Sequence, residues 1–321
     1  GNIYQHDSQT GVDTLIAATG ESTADFDQSA DGSIVAYESG TEIYIYNKRT
    51  SETTQVTNTA GGGGVLGTFT LSADGSAVVF FSSTHYTNGG TKDDVSGSGS
   101  VRMAHVDLNT GIFQTLSDTT SNYTDLVISA DGSRVAFRSN NDLTGQNSDG
   151  GFEVFTVEFN GSPSYVQATN ATSGGVRAVG IDDSGKVYLR TARDIQGLNP
   201  SGLQNIFQYD LTSGTYVNVT GKTASETIDN YMLTADGSAL MILTKADLTG
   251  ENPNNYTQAF RYELHLGTVR QVTNFDSELS KDAASGQFSY DGHSLLISQT
   301  NITAEFLSLS LVPENSELDV E

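Results

Sequence analysis

The fold this sequence predicts is all-β: a six-bladed β-propeller of four-stranded antiparallel blades. Three observations carry that expectation. A turn motif of the Ser-Ala-Asp-Gly-Ser type returns six times, its copies 43 to 57 residues apart, near the period of propeller blades. Each copy is followed by a short, nearly continuous apolar run, the pattern of a strand buried on both faces. The composition, with 34 Gly against 4 Pro and 36% hydrophobic residues, suits many short strands joined by turns.

The six turns are Ser29 to Ser33, Ser72 to Ser76, Ser129 to Ser133, Asp182 to Lys186, Thr234 to Ser238 and Ser289 to His293. Asp-Gly between apolar runs is a hairpin signal. Gly supplies the positive φ, and the Asp carboxylate accepts from nearby backbone N–H groups. The second strand follows, as in Ile34-Val35-Ala36-Tyr37, Ala77 to Phe81 and Leu240 to Leu243. The third strand alternates, as in Ile43-Tyr44-Ile45-Tyr46 and Val154-Phe155-Thr156-Val157, which predicts a place nearer the blade edge. A short fourth strand carries Gln55-Val56-Thr57, Val166-Gln167-Ala168, Val217-Asn218-Val219 or Gln271-Val272-Thr273. A blade cannot bury both faces alone, so neighbours in a closed ring must bury them for it.

The two ends of the chain fit such a closure. Ile3 to Asp7 and Val12 to Ile16 read as third and fourth strands with no first or second, and the last copy, Gln287 to Gln299, supplies a first and second strand. The expectation is one propeller domain over residues 1–312. Strands within 1–20 would pair with those within 284–311, and 313–321 would form an acidic flexible tail. Glu305 to Leu311 reads as a further strand. It would add to the outer edge, displace the N-terminal pair, or pair with a neighbouring molecule.

These copies resemble the WD40-like PD40 repeat of TolB-type β-propellers, whose turn is Ser-Pro-Asp-Gly before an apolar strand. Here Ala stands in place of that Pro at Ala30, Ala73, Ala130 and Ala235, and Tyr at Tyr290. Ser139 to Gly145, followed by Val154-Phe155, is similar to the longer pattern of bacterial proteins with this repeat. The resemblance spans nearly the whole chain and implies the fold. The separate N-terminal domain of TolB is not visible here, so its envelope role is not implied. A true WD40 protein is not implied either, because the chain has no Trp.

Charge and composition exclude some partners. The net charge is −24, with 15 Lys plus Arg against 39 Asp plus Glu, so nucleic acid and anionic membranes lack the basic surface they need. No apolar run approaches the roughly 18 residues of a membrane span. With no Cys, disulfides and Cys-ligated metals are excluded. No leader is visible at Gly1, which implies a cytosolic or an already processed chain. The expected location is extracellular, cell-surface or periplasmic.

The loop after the second strand repeats Asp-x-x-Gly-x-Asn as Asp142 to Asn147, Asp194 to Asn199 and Asp247 to Asn252, and the first copy runs on to Asp149. Clustered Asp and Asn oxygens suit Ca²⁺, which makes Asp142, Asn147, Asp149, Asp194, Asn199, Asp247 and Asn252 the candidate metal residues. The same residues also make Asx-turns, and the sequence favours that reading. In the second blade, Thr84 to Ser100 reads as a mobile polar excursion or a binding loop. The five His residues form no metal-binding spacing, although residues from several blades could still converge.

No local catalytic signature appears. The sequence therefore predicts a secreted or cell-surface binding or scaffolding propeller, with Ca²⁺ the candidate cofactor of its loops and a protein or polysaccharide ligand at one mouth. The alternatives are a polysaccharide lyase or glycosidase acting at the channel mouth, and a subunit that self-assembles through the surplus C-terminal strand.

Overall fold

A computed structural model describes residues 2–7, 10–18, 25–59, 64–116, 123–159, 164–170, 175–222, 226, 228–275, 283–289, 292, 294–299 and 307–310. All regular structure among them is β. The chain opens with a hairpin of β1 (Asn2–Asp7) and β2 (Val12–Ala18). Five four-stranded antiparallel meanders follow. They are β3 (Phe26–Gln28) to β6 (Glu52–Gln55) through β4 (Ile34–Ser39) and β5 (Glu42–Asn47), then β7 (Val65–Leu71), β8 (Ala77–Tyr86), β9 (Val95–Asp107) and β10 (Ile112–Thr115). The third runs β11 (Tyr123–Ile128), β12 (Arg134–Ser139), β13 (Glu153–Glu158), β14 (Ser164–Gln167), and the fourth β15 (Arg177–Ile181), β16 (Lys186–Thr191), β17 (Asn205–Asp210), β18 (Thr215–Asn218). The fifth is β19 (Ile228–Leu233), β20 (Ala239–Thr244), β21 (Gln258–Glu263), β22 (Thr268–Gln271). The last sheet has three strands, β23 (Ala283–Phe288), β24 (Ser294–Gln299) and β25 (Leu307–Ser310). No helix among the described residues is long and apolar enough to cross a membrane.

The chain divides into two compact units, Gly1–Gly185 and Lys186–Glu321. In the first, successive sheets share their cores. Val79, Phe81 and Met103 of one blade pack with Val135, Phe137, Phe155 and Val157 of the next. In the second, Met241 and Leu243 pack with Phe288 of the following sheet.

The repeated turn works as its residues dictate. In its first copy Gly32 N–H donates to Ser29 O at 2.9 Å, Ser29 Oγ to Asp31 Oδ1 at 2.7 Å, and Ser33 N–H to the same carboxylate oxygen at 2.9 Å. The bonds from Ser33 and Ser29 hold the Asp31 carboxyl down at about 2. Burial opposes the shift, and Arg49 at 2.8 Å adds a smaller pull. The turns also interlock. Ala30 N–H donates to Ala73 O at 2.8 Å, and Asp74 N–H to Ala130 O at 3.1 Å. Gly132 has φ +73, and a Cβ built on it would stand 2.5 Å from Ala77 Cβ of the preceding blade. Glycine there serves both the turn and the contact between blades.

Three expectations change in detail. The second strands are buried on both faces, all six residues of β20 included, but the third strands are also largely buried, five of six residues in β13. Alternation belongs to the fourth strands, where β14 and β18 alternate exposed and half-buried residues. A third strand such as β13 still lies between neighbouring blades, and the fourth strands β14 and β18 meet solvent along their length. The fourth strands also end earlier than the sequence suggested. Val56 and Thr57 are buried just beyond β6.

The third concerns the chain ends, where one of the alternatives left open by the sequence is taken: β24 pairs with β25, Ser294 opposite Ser310 and Ile297 opposite Leu307. The surplus strand holds that place because a segment next in the chain closes a shorter loop than the far terminus does. β1 and β2 are hydrogen-bonded to each other as a two-stranded sheet. They pack on the first blade through Ile3, Ile16, Val35, Tyr37 and Tyr46, and Gln5 Nε2 donates to Gly32 O at 2.6 Å. The hairpin therefore stands to the first blade as each blade stands to the next. Tyr290, Asp291, His293 and residues 313–321 lie outside the described residues.

Candidate functional site

The loops after the second strands are closed from within. Asp142 Oδ1 accepts from Asn147 N–H at 2.9 Å, Asp194 Oδ1 from Asn199 N–H at 2.7 Å, and Asp247 Oδ1 from Asn252 N–H at 3.1 Å. The three asparagines are buried. Each Nδ2 ties both ends of its loop: Asn147 to Asn141 O and Gly151 O, Asn199 to Arg193 O and Leu203 O, Asn252 to Lys245 O and Tyr256 O. Asp149 accepts from Gly151 N–H at 3.1 Å. The motif is thus a side-chain-stapled Asx loop, with one oxygen of each of the four carboxylates already committed to backbone.

A second device sits beside these loops, and sequence reading missed it. An acid or amide opens the third strand and accepts from a Thr hydroxyl lying 15 or 16 residues on. Thr57 Oγ1 donates to Glu42 Oε2 at 2.6 Å, Thr220 Oγ1 to Asn205 Oδ1 at 2.8 Å, Thr273 Oγ1 to Gln258 Oε1 at 2.8 Å, and Thr169 Oγ1 to Glu153 Oε2. The same hydroxyl accepts the N–H of Ile43, Ile206, Ala259 or Val154. Each Thr completes a backbone donor that the short fourth strand leaves unpaired. The recurring spacing was the available signal.

The Thr84 to Ser100 excursion is part of the second sheet rather than a mobile loop. Thr84 pairs with Ser98, His85 with Gly97 and Tyr86 with Val95. Its tip folds back on β10, with Gly89 N–H donating to Phe113 O at 2.8 Å and Phe113 N–H to Gly90 O at 2.9 Å. Tyr86 stacks on Phe113, ring centroids 4.3 Å apart.

Three of the four described histidines are committed locally. His6 meets Asp13 at 2.7 Å on the surface. His85 Nε2 is 2.7 Å from Ser100 O. His105 Nε2 is 3.0 Å from Gly132 O, its ring stacked on Phe159, and His265 is exposed at a turn.

What gathers at the loop end is arginine. β11 carries a bulge between Thr124 and Val127, and within it Asp125 adopts φ +54. Non-glycine residues in that region are strained and concentrate at functional sites. The bulge turns Asp125 to Arg177 of the next first strand, Nη1 to Oδ1 2.8 Å. Arg138, next to last in β12, lies with its guanidinium 3.9 Å from the centroid of the Phe152 ring. Burial lowers the pKa of Arg138 and the nearby Arg177 charge adds to this, with Asp125 opposing. Arg138 Nε and Asp125 Oδ2 are buried without a hydrogen-bond partner. Arg177 thus pairs with Asp125, while Arg138, its Nη1 donating to Thr124 Oγ1 at 3.5 Å, lies within the field of both beside an aromatic face. The cluster is locally positive in a strongly acidic protein, and its geometry suits an incoming carboxylate. In the second unit Arg190 repeats the device at the same strand position, 5.1 Å from the centroid of the Tyr231 ring.

No protein-family model and no curated protein matches this chain. Solved structures do. An oligogalacturonate lyase from Vibrio parahaemolyticus aligns with TM-score 0.61 and 12% identity, over 97% of this chain and 82% of that one. An oligogalacturonate lyase in complex with manganese aligns with TM-score 0.56 and 13% identity, over 94% and 78%. A protein described as a TolB, from Agrobacterium tumefaciens, aligns with TM-score 0.50 and 14% identity, over 91% and 94%. Among the described residues no three His, Asp or Glu side chains gather as a group able to hold a metal ion. At such identities the likeness speaks for architecture alone, and with the repeated meanders it establishes that the chain has the six-bladed β-propeller fold of TolB-type proteins.

Proposed function

We propose that this chain is an exported propeller, extracellular, cell-surface or periplasmic, that binds a carboxylated polysaccharide without transforming it. The observation that carries the reading is the cluster of Arg138, Arg177, Asp125 and Phe152. Paired guanidinium groups recognise a carboxylate through two parallel N–H donors, and an aromatic wall suits a sugar ring. Buried, unpaired polar atoms at Arg138 and Asp125 are groups a ligand would satisfy. The local charge runs against the −24 of the whole chain, as expected if an anion must be drawn to one place.

Calorimetric titration with polygalacturonate and with neutral dextran tests it. Polygalacturonate should bind and dextran should not, and Arg177→Met should weaken binding by about tenfold, the worth of one charged hydrogen bond. Equal binding of both polymers, or no effect of the substitution, would sink the reading.

A second reading, a polysaccharide lyase, is favoured by the fold likeness to oligogalacturonate lyase together with the same arginine pair, which could neutralise a uronate carboxylate. Ultraviolet absorbance of unsaturated product separates the two. Incubation of wild-type protein with polygalacturonate should give no increase, and a steady rise abolished by Arg138→Met would make the chain an enzyme.

A further inference from the structure

Among the described residues, one lysine ammonium is buried without a hydrogen-bond partner. Lys222 follows β18 in the crossover to β19 and is 5% exposed. Its backbone N–H donates to Asn205 Oδ1 at 2.8 Å, which fixes it beside the Thr220 to Asn205 staple. Its Nζ is buried without a hydrogen-bond partner, and so is Oε2 of Glu226, four residues on. Burial lowers the pKa of the ammonium, and the charges of Glu226 and Asp229 oppose that shift.

A donor and an acceptor left unsatisfied together each carry a desolvation cost that folding does not return. The group that would relieve both must accept from an ammonium and donate to a carboxylate. An anion meets the carboxylates of Glu226 and Asp229, a metal cation meets the ammonium, and an apolar group satisfies neither. A hydroxyl does both. We propose that Lys222 and Glu226 form a hydroxyl-reading subsite for a sugar or polyol. It rests on different residues from the arginine pair and on ligand hydroxyls rather than carboxylates, so either can fail without the other. A trapped water has the same bonding capacity, and the experiment must separate the two.

Saturation-transfer NMR on the full chain with D-galactose, D-mannose and glycerol provides the test, using wild type, Lys222→Met and Glu226→Gln. Met keeps most of the apolar stem of Lys222, and Gln keeps the shape of Glu226. At least one of the three compounds should bind wild type, and each substitution should weaken that binding tenfold or more. Glu226→Gln should leave the melting midpoint unchanged, and it decides the matter if Lys222→Met does not fold. The proposal is overturned if none of the three binds, if both variants bind as wild type does, or if crystals soaked in D-galactose show only a water between Nζ and Oε2.

Discussion

The two ends of each blade are built to different ends. At the turn end, copies of one Asp-Gly motif repeat the same bonds and lock onto one another, as Ala30 does to Ala73 and Asp74 to Ala130. At the loop end, the loops vary in length and partner. Buried polar atoms without a partner accumulate there, on Arg138, Asp125, Arg190, Lys222 and Glu226. The turn end satisfies its polar groups internally and leaves little to offer a ligand. The loop end holds its frame with Asx and Thr staples and leaves a few groups unsatisfied between them. Strain divides the same way. In the Asp-Gly turns the positive φ falls on glycine, as at Gly32, Gly75 and Gly132, whereas at the loop end it falls on Asp125, Gln196 and Asn255 as well as on glycines such as Gly145.

The largest effect that would test this contrast is steric. Gly132→Ala forces a methyl to 2.5 Å from Ala77 Cβ at φ +73, while Gly145→Ala at φ +76 in a loop meets nothing within 4 Å. Urea denaturation should show a loss of about 2–4 kcal/mol for the first and about 1 kcal/mol for the second. Equal losses would mean that the turns do not dock the blades. Next in size is Thr169→Val, which strips the acceptor from Val154 N–H and the donor from Glu153. Its expected cost is about 1–3 kcal/mol, measured by the same titration.

A smaller effect concerns acid. Because the Asp31 carboxyl is lowered from 3.8 to about 2, its contribution is present in full above pH 3.8 and is lost as pH falls through about 2. Replacing Asp31 with Asn should flatten the fall in stability over that window, and a slope identical to wild type would remove the turn carboxylate as its source. The smallest effect is that of Ca²⁺. One oxygen of Asp142, Asp194 and Asp247 is already bonded to backbone, so added Ca²⁺ should raise the melting midpoint by about 1 °C or less over chelator. A rise of several degrees would give the loops an ionic role beyond their Asx bonds.

Much of this architecture was readable in advance. The turns and second strands were legible because each is specified within a few residues. The Asp142, Asp194 and Asp247 loops were legible as repeats, and their asparagines proved to be internal staples. The Glu153 to Thr169 staple was missed because its partners are 16 residues apart and neither is unusual alone. The Arg138, Arg177 and Asp125 cluster was missed because it joins residues of two blades through a bulge that no local pattern announces.

The sequence by itself determined the number of repeats, the order of strands within them and the chemistry of the described Asp-Gly turns. Those features depend on φ preferences and on side chains that reach only a few residues. Tertiary structure alone decided that Leu307–Ser310 would take the edge of β24, that third strands would be buried, and that two arginines would face one strained aspartate. Such outcomes depend on which surfaces meet, and competing pairings of similar local pattern differ only in the packing and loop closure that the folded chain provides.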